Sequence, residues 1–306
     1  NWRNWCRTKV KCNYLGRNVG KKNSEVRVKN TISRHFEAYF EENTDFSIFF
    51  CEMFESLNFN FSFYDWLLVF MVTALGTVSA YVKDPQVKAV LATIPIPCGF
   101  AYIAVGLPMG TANAVSGFMC FLYVHIVRIL HYKAKFPIVP SIAAGLAFFV
   151  ALGTFLMPRI PNTEVSFIGA CFFDLIVGIV VFQKQKYKSG VRYKTPLPVY
   201  IKAPAIAGVV SGLMLIKRLM GGFCTSFPMM NSIVSYESRF SLGDQCRQLP
   251  LFLIAGPFMF AEMRYLETLL GLNHWIVLLC GYILFALIYW PLNKELKRRN
   301  ECNYNR

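Results

Sequence analysis

Charge is scarce in this chain, and negative charge scarcer still. Only 16% of its 306 residues are Asp, Glu, Lys or Arg, and 17 acidic residues stand against 32 basic ones. Soluble domains carry about 25% charged residues, so an ordinary soluble fold is excluded at the outset. Histidine is nearly missing, with four in the chain. No GxSxG, HExxH or Walker-type glycine loop occurs, the pair Gly221-Gly222 stands alone, and no two carboxylates fall at a catalytic spacing. Those absences remove the usual signatures of serine hydrolases, zinc proteases and P-loop NTPases. The ten cysteines form no CxxC pair and do not alternate with histidine. A zinc site or disulfide framework is therefore not expected, and Cys120, Cys171 and Cys280 read as small hydrophobes. The sequence points to no enzyme and to no cofactor or metal.

What is abundant is apolar: 55% of the residues are hydrophobic and 16% aromatic. A bilayer core of about 30 Å is crossed by roughly 20 apolar residues in a helix. The sequence predicts an all-α, polytopic membrane bundle of about nine spans: Phe63–Val82, Gln86–Gly106, Ala112–His131, Ile138–Met157, Val165–Phe182, Val199–Ile216, Leu219–Val234, Leu249–Leu266 and Trp275–Tyr289. The seventh is short and polar, as a broken or re-entrant helix would be. Basic residues cluster between the spans, where anionic lipid headgroups explain them, and nucleic acid is not an expected partner.

Two spans break at matching places. Thr93-Ile-Pro-Ile-Pro97 interrupts one and Thr225-Ser-Phe-Pro228 the other. After each break comes a glycine-led segment (Gly110-Thr-Ala-Asn113 and Gly243-Asp-Gln-Cys246), then an apolar run, then a last run closing on Pro158 or Pro291. The offset is 131 residues between Pro97 and Pro228, and 133 between Gly110 and Gly243 and between Pro158 and Pro291. Spans one to four and six to nine then form two repeats about a connector, span five. Corresponding spans lie five apart, an odd number, so the second repeat is expected upside down. Inverted repeats with paired discontinuous helices are the plan of many secondary transporters, with the site where the breaks meet. The alternative is an eroded duplication kept for packing.

The halves divide the chain into a basic tail (1–52), a first membrane repeat (53–158), a connector and loop (159–195), a second repeat (196–293) and a basic C-terminal tail (294–306). With nine spans, eighteen Lys and Arg of residues 53–306 fall on one side and four on the other. The positive-inside rule makes the rich side cytoplasmic, together with the C-terminus. The ten basic residues of 1–52 would then lie outside, against that rule, and the first methionine is Met53. Residues 1–52 are accordingly expected to be untranslated upstream sequence or a flexible basic extension, since no apolar h-region makes them a signal peptide.

Each repeat resembles the GlpM-like family of small four-helix bacterial membrane proteins, which have a short proline-threonine break in the second helix and a Gly/Ala-rich third helix. The matching residues are Ala92-Thr-Ile-Pro-Ile-Pro97 with Gly110–Gly117, and Thr225-Ser-Phe-Pro-Met-Met230 with Gly243. Ile-Pro-Ile-Pro departs from the family's break, and Asp244 and Arg247 stand where the family is blander. The resemblance implies a location in a bacterial inner membrane. The family's name links it to alginate production, which implies a partner role in envelope polysaccharide assembly.

Several residues are candidates for binding a small solute or ion. A proline inside a span removes a backbone donor and frees a carbonyl, which in lipid must find a partner or line a wet cavity. Pro95 and Pro97 with Thr93, and Pro228 with Thr225, Ser226 and Asn231, offer such carbonyls and hydroxyls; simple kinks filled by neighbours are the alternative. Asp174 lies in the middle of span five, where an ionisable group is costly. It reads either as a proton-coupling carboxylate or as a group bonded to Ser166 or another helix. Asn113 and Asp244 open the third helix of each half, where helix N-termini favour anions and where Asp244 also suits a capping role. Glu262 is expected to meet Lys217 or Arg218, and His125 to be a packing residue or a relay. The sequence thus reads as a multi-pass cell-membrane transporter or channel. A non-transporting subunit for envelope polysaccharide and an intramembrane enzyme on lipid-linked substrate are the rivals. Homo-oligomers are compatible with all three.

Overall fold

A computed structural model describes residues 63–105, 109–156, 159–185, 191–218 and 227–304, all within the unit Asn60–Arg306. Every regular element among them is helical: α1 (Phe63–Tyr81), α2 (Pro85–Thr93), α3 (Ile96–Val105), α4 (Thr111–Arg128), α5 (Ile138–Leu156), α6 (Glu164–Lys184), α7 (Val199–Arg218), α8 (Met229–Glu237), α9 (Leu242–Leu270) and α10 (His274–Tyr304). A π-helical turn, Ile129–Lys133, ends α4. Seven helical stretches, one of them running from α2 into α3, are long and apolar enough to cross a membrane. The apolar run of α7 is shorter, Val199–Met214. Helices are the expected solution, because each satisfies its own backbone polar groups where no water can.

Local chemistry sets the ends. Asp84 caps α2 by accepting from the Gln86 amide at 2.9 Å, with Pro85 in the first turn, where a missing N–H costs nothing. Thr163 caps α6 through the Ser166 amide. Gly271, at φ 59°, ends α9 in the left-handed conformation that a side chain resists.

The long helix α9 is the hub, packing against α2, α4, α6 and α10, while α1 pairs with α7 and α4 with α5. Large apolar side chains face outward along α6 (Val165, Phe172, Ile176) and α10 (Leu279, Ile283, Trp290). The polar Gln245, Gln248, Asn293 and Ser235 are buried. An apolar outside over a polar-seamed inside suits a bundle solvated by lipid.

Three boundaries differ from expectation. The eighth span was expected from Leu249, but α9 begins at Leu242 and takes the Gly243–Cys246 segment into its first turns. The last span was expected to stop before Pro291, but α10 runs through that proline to Tyr304, so residues of the expected C-terminal tail are helical. Pairs of Arg298 and Arg299 with Glu295, one turn away, support the extension. Of the seventh expected span, Leu219–Val234, residues 219–226 lie outside the described part. The remainder helps form a nine-residue helix that continues to Glu237.

Candidate functional site

The first break separates α2 from α3. Proline at 95 and 97 removes the amides that would have bonded the Leu91 and Thr93 carbonyls, and Ile94 adopts an extended conformation. The gap is filled from α10. The Tyr282 hydroxyl sits between the Pro95 and Ile96 carbonyls, at 3.0 and 3.2 Å. Thr93 is engaged too: its hydroxyl bonds back to Val90 O at 2.9 Å and lies 2.7 Å from the Tyr289 hydroxyl. The Thr93 hydroxyl expected to be loose here is engaged, and the Pro95 carbonyl accepts from both Tyr282 and the Gly99 amide. Tyrosines one α10 face apart supply them, and tyrosine suits the role because it buries an apolar ring while its hydroxyl finds a bond.

The second break is tighter. Pro228 takes φ −77° and ψ 46°, and the Met229 amide donates to Phe227 O at 2.7 Å, an inverse γ-turn. Ser232 donates to Pro228 O at 2.7 Å through its hydroxyl, and Tyr123 of α4 donates to Ser232 at 2.9 Å. Phe149 of α5 meets Phe227 edge-on at 5.7 Å. Tyr123 of α4 and Phe149 of α5 thus meet the start of α8. Thr225 and Ser226 lie outside the described residues.

From the first break a buried polar seam leads along α9 and α10. Tyr289 donates to Gln248 Oε1 at 3.0 Å, and Gln248 donates to Asn293 Oδ1 at 3.0 Å. Beside it, Ser235 donates to Gln245 Oε1 at 3.0 Å, and the Gln245 amide reaches Asn231 O and Oδ1 at 3.2 and 3.3 Å. The sequence marks Asn231 and, in the Gly243–Cys246 segment, Gln245, but not Gln248, one turn further along the same helix.

Asp174 is 1% exposed at the centre of α6. Its Oδ1 has no hydrogen-bond partner among the described residues. Ser166 is not that partner, being tied to Thr163 at 2.9 Å. Asp244 pairs with Arg247 at 3.3 Å in the first turns of α9. Asn113 closes the start of α4 by accepting from the Gly110 amide at 2.8 Å, and the Thr111 amide donates to Asn162 Oδ1 at 3.1 Å. The Gly110 and Thr111 amides, which could have held an anion, are therefore engaged. Glu262 has a buried oxygen, Oε2, without a partner among the described residues; the side chains of Lys217 and Arg218 lie outside them. His125 bonds Phe121 O at 2.9 Å within its own helix, as a packing histidine does.

Three polar clusters at the bundle ends escaped sequence reading, because their members are remote in sequence. Where α2 and α7 begin and α8 ends, Lys202 pairs with Glu237, and Lys88 donates to Tyr193 O and Glu237 O at 2.8 and 3.2 Å. At the opposite end, Arg264 reaches Glu164 Oε1 with two nitrogens (2.7 and 3.1 Å) and Met109 O with a third at 2.6 Å, while stacking on Phe167. Nearby, the Tyr102 hydroxyl donates to Glu267 at 2.5 Å and lies 3.0 Å from His274 Nδ1.

Comparison with protein-family models, with curated proteins and with solved structures finds no match.

Proposed function

We propose that this chain is a multi-pass membrane transporter or channel for a small solute or ion, built from two inverted four-helix halves around the connector α6. One observation carries the reading. Tyr282, on the last helix of the second half, fills the break of the first half at Ile96. Phe149, on the last helix of the first half, fills the break of the second half at Phe227. Ile96 and Phe227 stand 131 residues apart, and Phe149 and Tyr282 stand 133 apart. These are the offsets that relate Pro97 to Pro228 and Pro158 to Pro291. Each half thus inserts a ring into the other's broken helix, an exchange that two interlocked copies of one unit would make.

The buried seam of Thr93, Tyr289, Gln248, Asn293, Gln245 and Asn231 supports a polar route, since an inert bundle gains little from so many amides in its core. In this reading the tyrosines stand in for the solute at the breaks and swing aside when it binds. Charge clusters at both ends, Lys202–Glu237 and Arg264–Glu164, close the route. The resemblance of each half to the GlpM-like family supports a bacterial inner-membrane location, and the basic loops support a cytoplasmic C-terminus.

The test is reconstitution of the full chain into liposomes on a solid-supported membrane. Concentration jumps of protons, sodium, potassium, phosphate and a panel of small polar solutes are then applied. A current or uptake above that of empty liposomes, altered by Gln248→Ala, supports transport. Silence of a folded, inserted protein to the whole panel overturns it.

A second reading has one observation in its favour. Tyr102, Glu267 and His274 form a compact acid–base cluster where α9 turns into α10. This is the kind of constellation an enzyme acting on a lipid-linked substrate would place at a membrane edge.

A further inference from the structure

Asp174 divides α6 in two, ten residues from Glu164 and ten from Lys184, or about 15 Å of helix in each direction. With Phe167, Gly178 and Phe182 it belongs to the buried stripe of that helix. The stripe faces α4 and α9, the two helices on which α6 packs. A β-carbon at Gly117 of α4 would lie 3.1 Å from Asp174 Oδ2, and one at Gly178 would lie 3.0 Å from Pro250 O of α9. Glycine at both places lets three helices close around the carboxyl.

Among the described residues, the stretches of α4, α6 and α9 that enclose it carry no charged side chain, the nearest guanidinium being that of Arg264 towards Cys171. α6 has no other Asp, Glu, Lys, Arg or His between Glu164 and Lys184; α4 has none from Thr111 to Val124, and α9 none from Gln248 to Ala261. The titratable groups that face it are thiols, Cys120 on α4 and Cys171 one turn away on α6. From α9 comes the Phe252 ring, close to the same spot beside Gly117. A carboxyl enclosed by apolar side chains at this depth is costly as an ion. A metal cation is a poor alternative, because hard cations take about six oxygen ligands and this pocket offers one carboxyl. Only a proton is bound adequately by a single oxygen.

We propose that Asp174 is a reversible proton-binding site at the centre of the bundle, and that the proton is the coupling ion of the transport reading, on which this second clause rests. The carboxyl is neutral in the packed state. It releases its proton when movement of α6 against α4 and α9 opens the Gly117–Gly178 side to water. Its place on the connector, outside both halves, lets one group answer to either side of the membrane.

The first experiment uses dicyclohexylcarbodiimide, an apolar reagent that reaches buried carboxyls and adds only to the protonated form. The acid proton moves to a carbodiimide nitrogen as a carboxyl oxygen bonds the central carbon. Mass spectrometry of the full-length protein in liposomes should locate an adduct on Asp174. The adduct should fall about tenfold per pH unit above the site's midpoint, vanish in Asp174→Asn and persist in Asp174→Glu. The second experiment is infrared difference spectroscopy, which needs no reagent access. A protonated-carboxyl stretch should be present, shift in heavy water and be lost in Asp174→Asn, a variant whose neutral amide matches the protonated acid in size. Absence of both the adduct and the band from folded protein overturns the site, as does a band that never exchanges with heavy water. Liposome flux indifferent to Asp174→Asn, with no carboxyl band, removes the proton site and leaves transport standing. An exchanging band in liposomes silent to every solute keeps the site and removes the coupling role.

Discussion

Gly99 and Tyr282 exclude any side chain at position 99. A β-carbon there would overlap the tyrosine hydroxyl and stand 2.6 Å from Leu278 Cδ1. The same hydroxyl bonds the Pro95 and Ile96 carbonyls, so the glycine makes room for the group that fills the break. Gly99→Ala should destabilise the protein by about 1–3 kcal/mol, the usual range for forcing atoms into a packed core. Tyr282→Phe, which removes only the hydroxyl, should cost about 1 kcal/mol. Thermal unfolding in detergent measures both. In a Tyr282→Ala background the cost of alanine at 99 should fall, leaving only the Leu278 contact; an undiminished cost there would refute the relationship.

Arg264 is buried while its partner Glu164 is 56% exposed, so the two ends of the pair are unequal. Glu164→Gln should change the melting temperature little, since a solvated carboxylate is screened and Met109 O still accepts from the guanidinium. Arg264→Lys should cost more despite keeping the charge. It loses the forked contact, the bond to Met109 O and the stacking on Phe167. A larger loss for the glutamate variant would contradict this.

Glu237 lies between two buried lysines. Glu237→Gln leaves Lys202 without its ion pair in the interior and should cost about 3–5 kcal/mol. Combining it with Lys202→Met should recover much of that loss, because no uncompensated charge then remains at the pair. Additive losses in the double variant would show that the pair is not coupled.

The charge asymmetry of the loops predicts sidedness. In a background without native cysteines, Ser189→Cys should resist an impermeant thiol reagent on intact cells and Pro161→Cys should react. The reverse pattern would turn the topology over.

Much of the fold could be read along the chain. Apolar runs of bilayer length become α1, α4, α5 and α6 almost residue for residue, because in lipid a backbone must bond within its own segment. The Ile94–Pro95 break was legible for the same reason, since a proline has no amide to give. Helix ends governed by weaker signals were not. Pro291 was read as a stop, yet α10 continues through it, and the turns that follow are packed into the bundle, with Asn293 bonded to Gln248 and Leu296 buried. α9 begins seven residues before Leu249 because Asp244, Gln245 and Arg247 are polar but buried against other helices, and only packing reveals that.

The sequence by itself determined that the chain is helical and apolar enough to cross a membrane several times, that a helix breaks at Ile94–Pro95, and that one acid lies in the middle of a span. Each is a property of a local window. Tertiary structure alone decided what those features meet. Tyr282 is 187 residues from Pro95, Arg264 is 100 from Glu164, and Lys88 is 149 from Glu237. No local pattern specifies such pairs, because a hydroxyl, a guanidinium or an ammonium takes whichever acceptor the packed helices bring within about 3 Å.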